Sequence, residues 1–95
     1  MKVYKYEMFD KVGMFGNCPI QMHPGRILKV DAQRDIVCIW ALVDPEAPVT
    51  LRQFYLAATG LTVPKGATYI GTAQLYRGSV VVHVFELATQ AGGAE

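Results

Sequence analysis

The sequence predicts an all-β fold: a small antiparallel sandwich or barrel-like sheet of about six strands, with at most one short helix. Three observations carry this. The run Asp35 to Pro45, DIVCIWALVDP, is apolar on both strand parities. Ile36, Cys38, Trp40 and Leu42 share one side, and Val37, Ile39, Ala41 and Val43 the other, as in a strand covered on both faces. Residues 79 to 87, SVVVHVFEL, form a second such run, with Val80, Val82 and Val84 set against Val81, His83, Phe85 and Leu87. The turn signals His23-Pro24-Gly25, Pro64-Lys65-Gly66 and Arg77-Gly78 recur at the spacing of a sandwich or barrel.

In chain order, residues 2 to 8, KVYKYEM, alternate, with Tyr4, Tyr6 and Met8 on one face and Val3, Lys5 and Glu7 on the other. That is a strand with one wet face. Phe9 to Pro24 is broken by Gly13, Gly16, Pro19 and Pro24 and reads as a loop holding at most a short extended piece near Cys18 to Met22. RILKVDAQ, from Arg26, reads as a strand, and the polar break Ala32 to Asp35 is short enough for a hairpin into the central run. Without Asn-Gly, the turn type is not legible. Pro45 to Val49 is a stiff connector with two prolines.

Thr50 to Thr59 fits two patterns. Leu51, Phe54, Tyr55 and Ala58 make a helical stripe, with Thr50 as N-cap and Gly60 beyond the end; as a strand, Arg52, Phe54, Leu56 and Ala58 share a face. Residues 68 to 76, TYIGTAQLY, read as a strand in which Gly71 marks a bulge or a close approach. The expected domain spans 1–88, and 89–95 reads as a frayed, Ala/Gly-rich tail.

Ninety-five residues allow one domain. The apolar fraction of 52% against 18% charged residues fits either a two-sided core or apolar surface kept for a partner subunit. A net charge of +1, with the two signs interspersed, is not the footprint of a bulk nucleic-acid binder. The start, MKVYKYEMFDKV, has no apolar h-region, and no window approaches the about 18 apolar residues of a membrane span, so a cytoplasmic, non-membrane protein is expected. Cys18 and Cys38 read as reduced thiols, Cys38 as a small core hydrophobe. Trp40, mid-strand, is expected in the core, where truncation to alanine would cost about 3–5 kcal/mol.

Six blocks occur in order: Tyr4-Lys5-Tyr6, Met22-His23-Pro24-Gly25-Arg26-Ile27-Leu28, Ile39-Trp40-Ala41-Leu42-Val43-Asp44-Pro45, Thr59-Gly60, Tyr69-Ile70-Gly71-Thr72 and His83-Val84-Phe85-Glu86. In these blocks the chain resembles a family of short, uncharacterised proteins of bacteriophages and bacteria, over nearly its whole length. It departs from that family at Ala58, where a glycine is usual, and at Val82, where a tryptophan is usual. The resemblance implies a phage or prophage origin and a β-rich fold, and it tips Thr50 to Ala58 towards strand. It brings no activity and no catalytic residues.

Chemical signatures are sparse. Cys18, His23, Cys38 and His83 have neither finger nor zincin spacing, so no metal and no cofactor are expected. No phosphate loop or nucleophile elbow occurs. His83 reads as a ligand contact or, more plainly, as a half-buried histidine with a backbone partner. Glu86, of opposite parity, would face the other side. Arg52, Tyr55, Tyr69, Tyr76 and Arg77 combine rings with cations, as anion or nucleotide binders do, although tyrosines more often simply pack a sheet. Arg52, Tyr55, Tyr76, Arg77 and His83 are therefore the expected ligand-binding residues. Arg52 is the first choice, and its truncation is expected to spare folding.

The expected function is that of a non-enzymatic, phage-type accessory binding protein. It would be a homo-oligomeric inhibitor of host defence that sequesters a nucleotide-like small molecule or blocks a host defence protein. The alternatives are a minor virion or assembly component and a small enzyme without a recognisable motif.

Overall fold

The computed structural model describes residues 1–8 and 15–88. Seven strands run through them: β1 (Lys2–Met8), β2 (Gly16–Met22), β3 (Gly25–Gln33), β4 (Ile36–Val43), β5 (Thr50–Ala58), β6 (Thr68–Leu75) and β7 (Val80–Glu86). A single 3-10 turn, Tyr76–Gly78, joins the last two. The strands form a three-stranded sheet, β1-β4-β3, and a four-stranded sheet, β2-β5-β7-β6. Every neighbouring pair is antiparallel. The all-β expectation holds, and Thr50–Ala58 is a strand. The expected tail from Thr89 and the first part of the Phe9 loop lie outside the described residues.

One strand was hidden in the sequence. β2 is a full strand rather than a short extended piece, because its alternation is carried by unlike residues: Cys18, Ile20 and Met22 turn inward while Asn17, Pro19 and Gln21 turn to solvent. Pro19 is tolerated because β2 is an edge strand, paired on one side only among the described residues.

The core lies between the two sheets. Val37, Ile39, Ala41 and Val43 of β4 face Phe54 and Leu56 of β5 and Val82 and Val84 of β7, with Met8, Met22 and Leu75 also buried. Trp40 is a correction to the sequence reading. It is only half-buried and stands outside the core cluster, on the outer face of the three-stranded sheet. Among the described residues only one sheet packs on β4, and Val37, Ile39, Ala41 and Val43 take that side. Its other face is flanked by side chains from β1 and β3, with Lys5 and Lys29 in register with Trp40. A centre strand therefore reads as two-sided without a second layer. Cys38 lies on that same outer face, fully buried but outside the core cluster.

Two turns settle questions the sequence left open. Arg34 and Asp35, at φ 54° and 59°, form a two-residue left-handed turn between β3 and β4. The Asp35 carboxylate accepts the Tyr76 backbone N–H at 2.8 Å, tying this turn to the β6–β7 turn. Gly71 shows both features expected of it: the β6–β7 register shifts between Tyr69 and Gly71, and a Cβ there would lie 2.9 Å from Cβ of Val30 in β3.

Candidate binding face

The outer faces of the two sheets differ in charge. The three-stranded sheet presents Lys5 and Glu7 from β1 and Arg26, Lys29 and Asp31 from β3. These charges flank the half-buried centre of β4, and Lys5 donates to Gln33 across it. The four-stranded sheet presents Leu51, Gln53, Tyr55 and Ala57 from β5, and Val81, His83 and Phe85 from β7. Its edge strands add Tyr69, Thr72 and Gln74 from β6, and Asn17, Pro19 and Gln21 from β2. Among the described residues, this face carries no Asp, Glu, Lys or Arg on its strands.

Register arranges the face in rows. Asn17, Tyr55, Phe85 and Tyr69 stand opposite one another across β2, β5, β7 and β6. Tyr69 meets Phe85 edge-on, with ring centres 5.6 Å apart, yet remains 57% exposed, enough to offer most of its ring to a partner. The next row is Ala57, His83 and Thr72. His83 Nε2 lies 2.8 Å from Thr59 Oγ1, and Nδ1 lies 3.1 Å from Thr72 Oγ1, which is 2.6 Å from the Tyr69 hydroxyl. A neutral imidazole donates at one nitrogen and accepts at the other, and each hydroxyl can do either. The four groups thus form one hydrogen-bonded chain that runs consistently in both directions. It fixes the imidazole ring and leaves it half-buried.

The structure brings together only part of the constellation expected from sequence. Tyr55 and His83 share the outer face of the four-stranded sheet. The partners of His83 are side-chain hydroxyls, not backbone. Tyr76 and Arg77 sit in the β6–β7 turn, both at positive φ, with Tyr76 half-exposed. Arg52 lies on the opposite parity, with Phe54, and near the other end of the sheet. The length of β7 separates it from Arg77, on the order of 25 Å at about 3.3 Å per residue.

Arg52 is engaged between the sheets. Its Nε donates to Glu86 Oε2 at 2.7 Å and Nη2 to Oε1 at 2.8 Å, a bidentate pair. Nη1 donates to the Gly25 carbonyl at 2.9 Å, linking β5 to the start of β3 in the other sheet. The guanidinium carbon stands 5.7 Å from the centre of the Phe54 ring. The hydrogen bonds that Arg52 donates to the Glu86 carboxylate hold the guanidinium pKa above its ordinary value, against partial burial. Glu86 does face away from His83, as parity predicts, but it is paired with Arg52 rather than solvated. Thr59 and Thr72 were missed as site residues, and Tyr69, weighed among the rings, was left out of the expected set. Only the pairing of distant strands brings them beside His83; the Thr59-Gly60 and Tyr69-Ile70-Gly71-Thr72 blocks were the available signals.

No group of three or more His, Cys, Asp or Glu side chains among the described residues is placed to hold a metal ion. Cys18 and Cys38 are buried in different sheets and are not joined to each other. No helix among the described residues is long and apolar enough to cross a membrane.

These features define a small two-sheet β-domain with one charged outer face and one uncharged, aromatic outer face. The profile of a domain of unknown function, DUF7352, matches residues 1–94, and the chain belongs to that family. No curated protein and no solved structure matches it.

Proposed function

We propose that the protein is a non-enzymatic, phage-type accessory binding protein that inhibits a host defence component by occupying its surface. The observation that carries this reading is the uncharged outer face of the four-stranded sheet, with its row of Tyr55, Phe85 and Tyr69 beside the His83 chain. Depletion of charge with enrichment of aromatic rings is the compositional mark of an interface centre. Amides and hydroxyls around those rings supply adaptable hydrogen bonding. In a host carrying the matching defence system, expression of the protein restores phage plating. Tyr69→Asp, which puts a charge into the aromatic row of the face, abolishes the rescue, and Lys29→Asp on the opposite face leaves it intact. Equal effects of the two substitutions would remove this face from the reading.

A second reading is sequestration of a nucleotide-like molecule, favoured by the exposed Tyr69 ring beside hydroxyl and imidazole groups. It has to do without Arg52, whose fork is engaged by Glu86. Native mass spectrometry of protein purified from infected cells separates the two: a retained small molecule lost in Tyr69→Ala supports sequestration.

A further inference from the structure

Four strands lie at sheet edges: β1 and β3 in one sheet, β2 and β6 in the other. An exposed edge offers a row of unpaired N–H and C=O groups to any other strand, and proteins usually blunt it. Three of these edges are blunted. β3 and β6 pack against each other, so closely that a Cβ at Gly71 would strike Val30, and each carries a register shift. β2 contains Pro19, which removes a donor that a docking strand would need. β1, KVYKYEM, has no proline, no glycine and no register shift against β4. Among the described residues, no strand pairs with its outer side.

We propose that β1 is the homodimer contact, with two copies pairing β1 against β1 in antiparallel register and Tyr6 opposite Tyr6 of the partner subunit. Charge selects this register. Lys5 and Glu7 project from the same face of β1, two residues apart, with 39% and 54% of their side chains exposed. A two-fold axis at Tyr6 sets Lys5 opposite the partner's Glu7, and Glu7 opposite the partner's Lys5. An axis at Lys5 would set ammonium against ammonium, and like charges directly opposite destabilise a strand pair. On the inner parity, the Tyr6-centred register sets Tyr4 opposite Met8 of the partner subunit. The contact closes after two copies, because the pairing uses the same edge on both and the other edges are blunted. It continues the three-stranded sheet across the axis and leaves the aromatic face of the four-stranded sheet uncovered. It therefore stands or falls independently of what that face binds.

Sedimentation of the wild-type chain at about 100 µM, a range in which backbone strand pairing is measurable, is expected to show dimer. A 10.5 kDa species alone would overturn the proposal. Lys5→Glu and Glu7→Lys each replace two attractive pairs by two repulsive ones and are expected to weaken the dimer at least about tenfold. Thermal melts of each variant report folding separately. Mixing the two single variants is the decisive arm. The carboxylates of the Lys5→Glu chain then face the ammonium groups of the Glu7→Lys chain at both pairs. A heterodimer recovered on mixing supports the register; two unpaired variants, or dimers that neither substitution weakens, sink it. Carbodiimide cross-linking of the wild type needs no variant. A Lys5–Glu7 link in the covalent dimer, identified by mixing heavy- and light-isotope protein, supports the contact, and links confined to other residues contradict it.

Discussion

Arg52 makes three hydrogen bonds, two to Glu86 within its own sheet and one to Gly25 in the other, and its removal strands Glu86, whose side chain is 23% exposed. Losing one partner of such a pair costs more than the pair itself contributes, because the remaining charge stays partly desolvated. Arg52→Ala is therefore expected to lower stability by about 2 kcal/mol in urea melts, whereas sequence reasoning expected folding to be spared. Adding Glu86→Ala should cost less than the sum of the two single changes. The guanidinium itself adds no pH dependence near neutrality. A raised value means that its contribution is complete below the ordinary arginine range and lost only in strong alkali.

Trp40 moves in the opposite direction. Half-buried on an outer face, it should lose about 1–2 kcal/mol on truncation to alanine, against about 3–5 for Phe54→Ala in the core. Cys38 offers a pH test. Burial pushes its thiol up, so its contribution is complete below the ordinary thiol range and lost as pH rises from there through the raised folded value. Stability should fall over that alkaline window, and Cys38→Ala should flatten the decline. The native thiol should also resist alkylation at about pH 8, where an exposed one reacts.

At the scale of elements, the β3–β6 contact depends on one missing side chain. Gly71→Ala puts a methyl 2.9 Å from two Val30 atoms, so one strand must shift. The expected loss is about 2 kcal/mol or more, with Val30→Ala restoring part of it in the double variant. Gly25 is tighter still: a Cβ there would collide with the Leu42 carbonyl oxygen, a backbone atom that cannot turn aside. Gly71 was legible because glycine within an alternating run already signals a bulge or close packing. Gly25 looked like the turn residue of His23-Pro24-Gly25; the need for glycine there arises from the neighbouring strand β4, which no local pattern contains. The Arg34-Asp35 turn was illegible for a similar reason. Arg34 is not a usual choice for a left-handed turn, the glycine that usually completes one is absent, and Asp35 gains its carboxylate bond to Tyr76 only when the β6–β7 turn is brought alongside.

For the whole molecule, alternation and turn chemistry determined the strand content. KVYKYEM reads as a strand because its period-two apolar pattern can bury itself only in a sheet, and DIVCIWALVDP and SVVVHVFEL hold strands because short apolar runs rich in β-branched residues and bounded by turn signals fit a covered strand. The sequence also placed His83 and Glu86 on opposite faces by parity alone. Which face is the core, which strands lie at edges and which cation meets which carboxylate depend on contacts between residues far apart in the chain. Arg52 and Glu86, joined by a bidentate pair, are such contacts, as are Thr59 and Thr72 with His83. Two apolar faces on β4 were read as two layers of core; the sheet order replaced one of them with side chains from β1 and β3. The uncharged outer face of the four-stranded sheet has the same origin. No single stretch of the sequence spells it out, and the face exists only because antiparallel pairing turns the neutral residues of four strands to the same side.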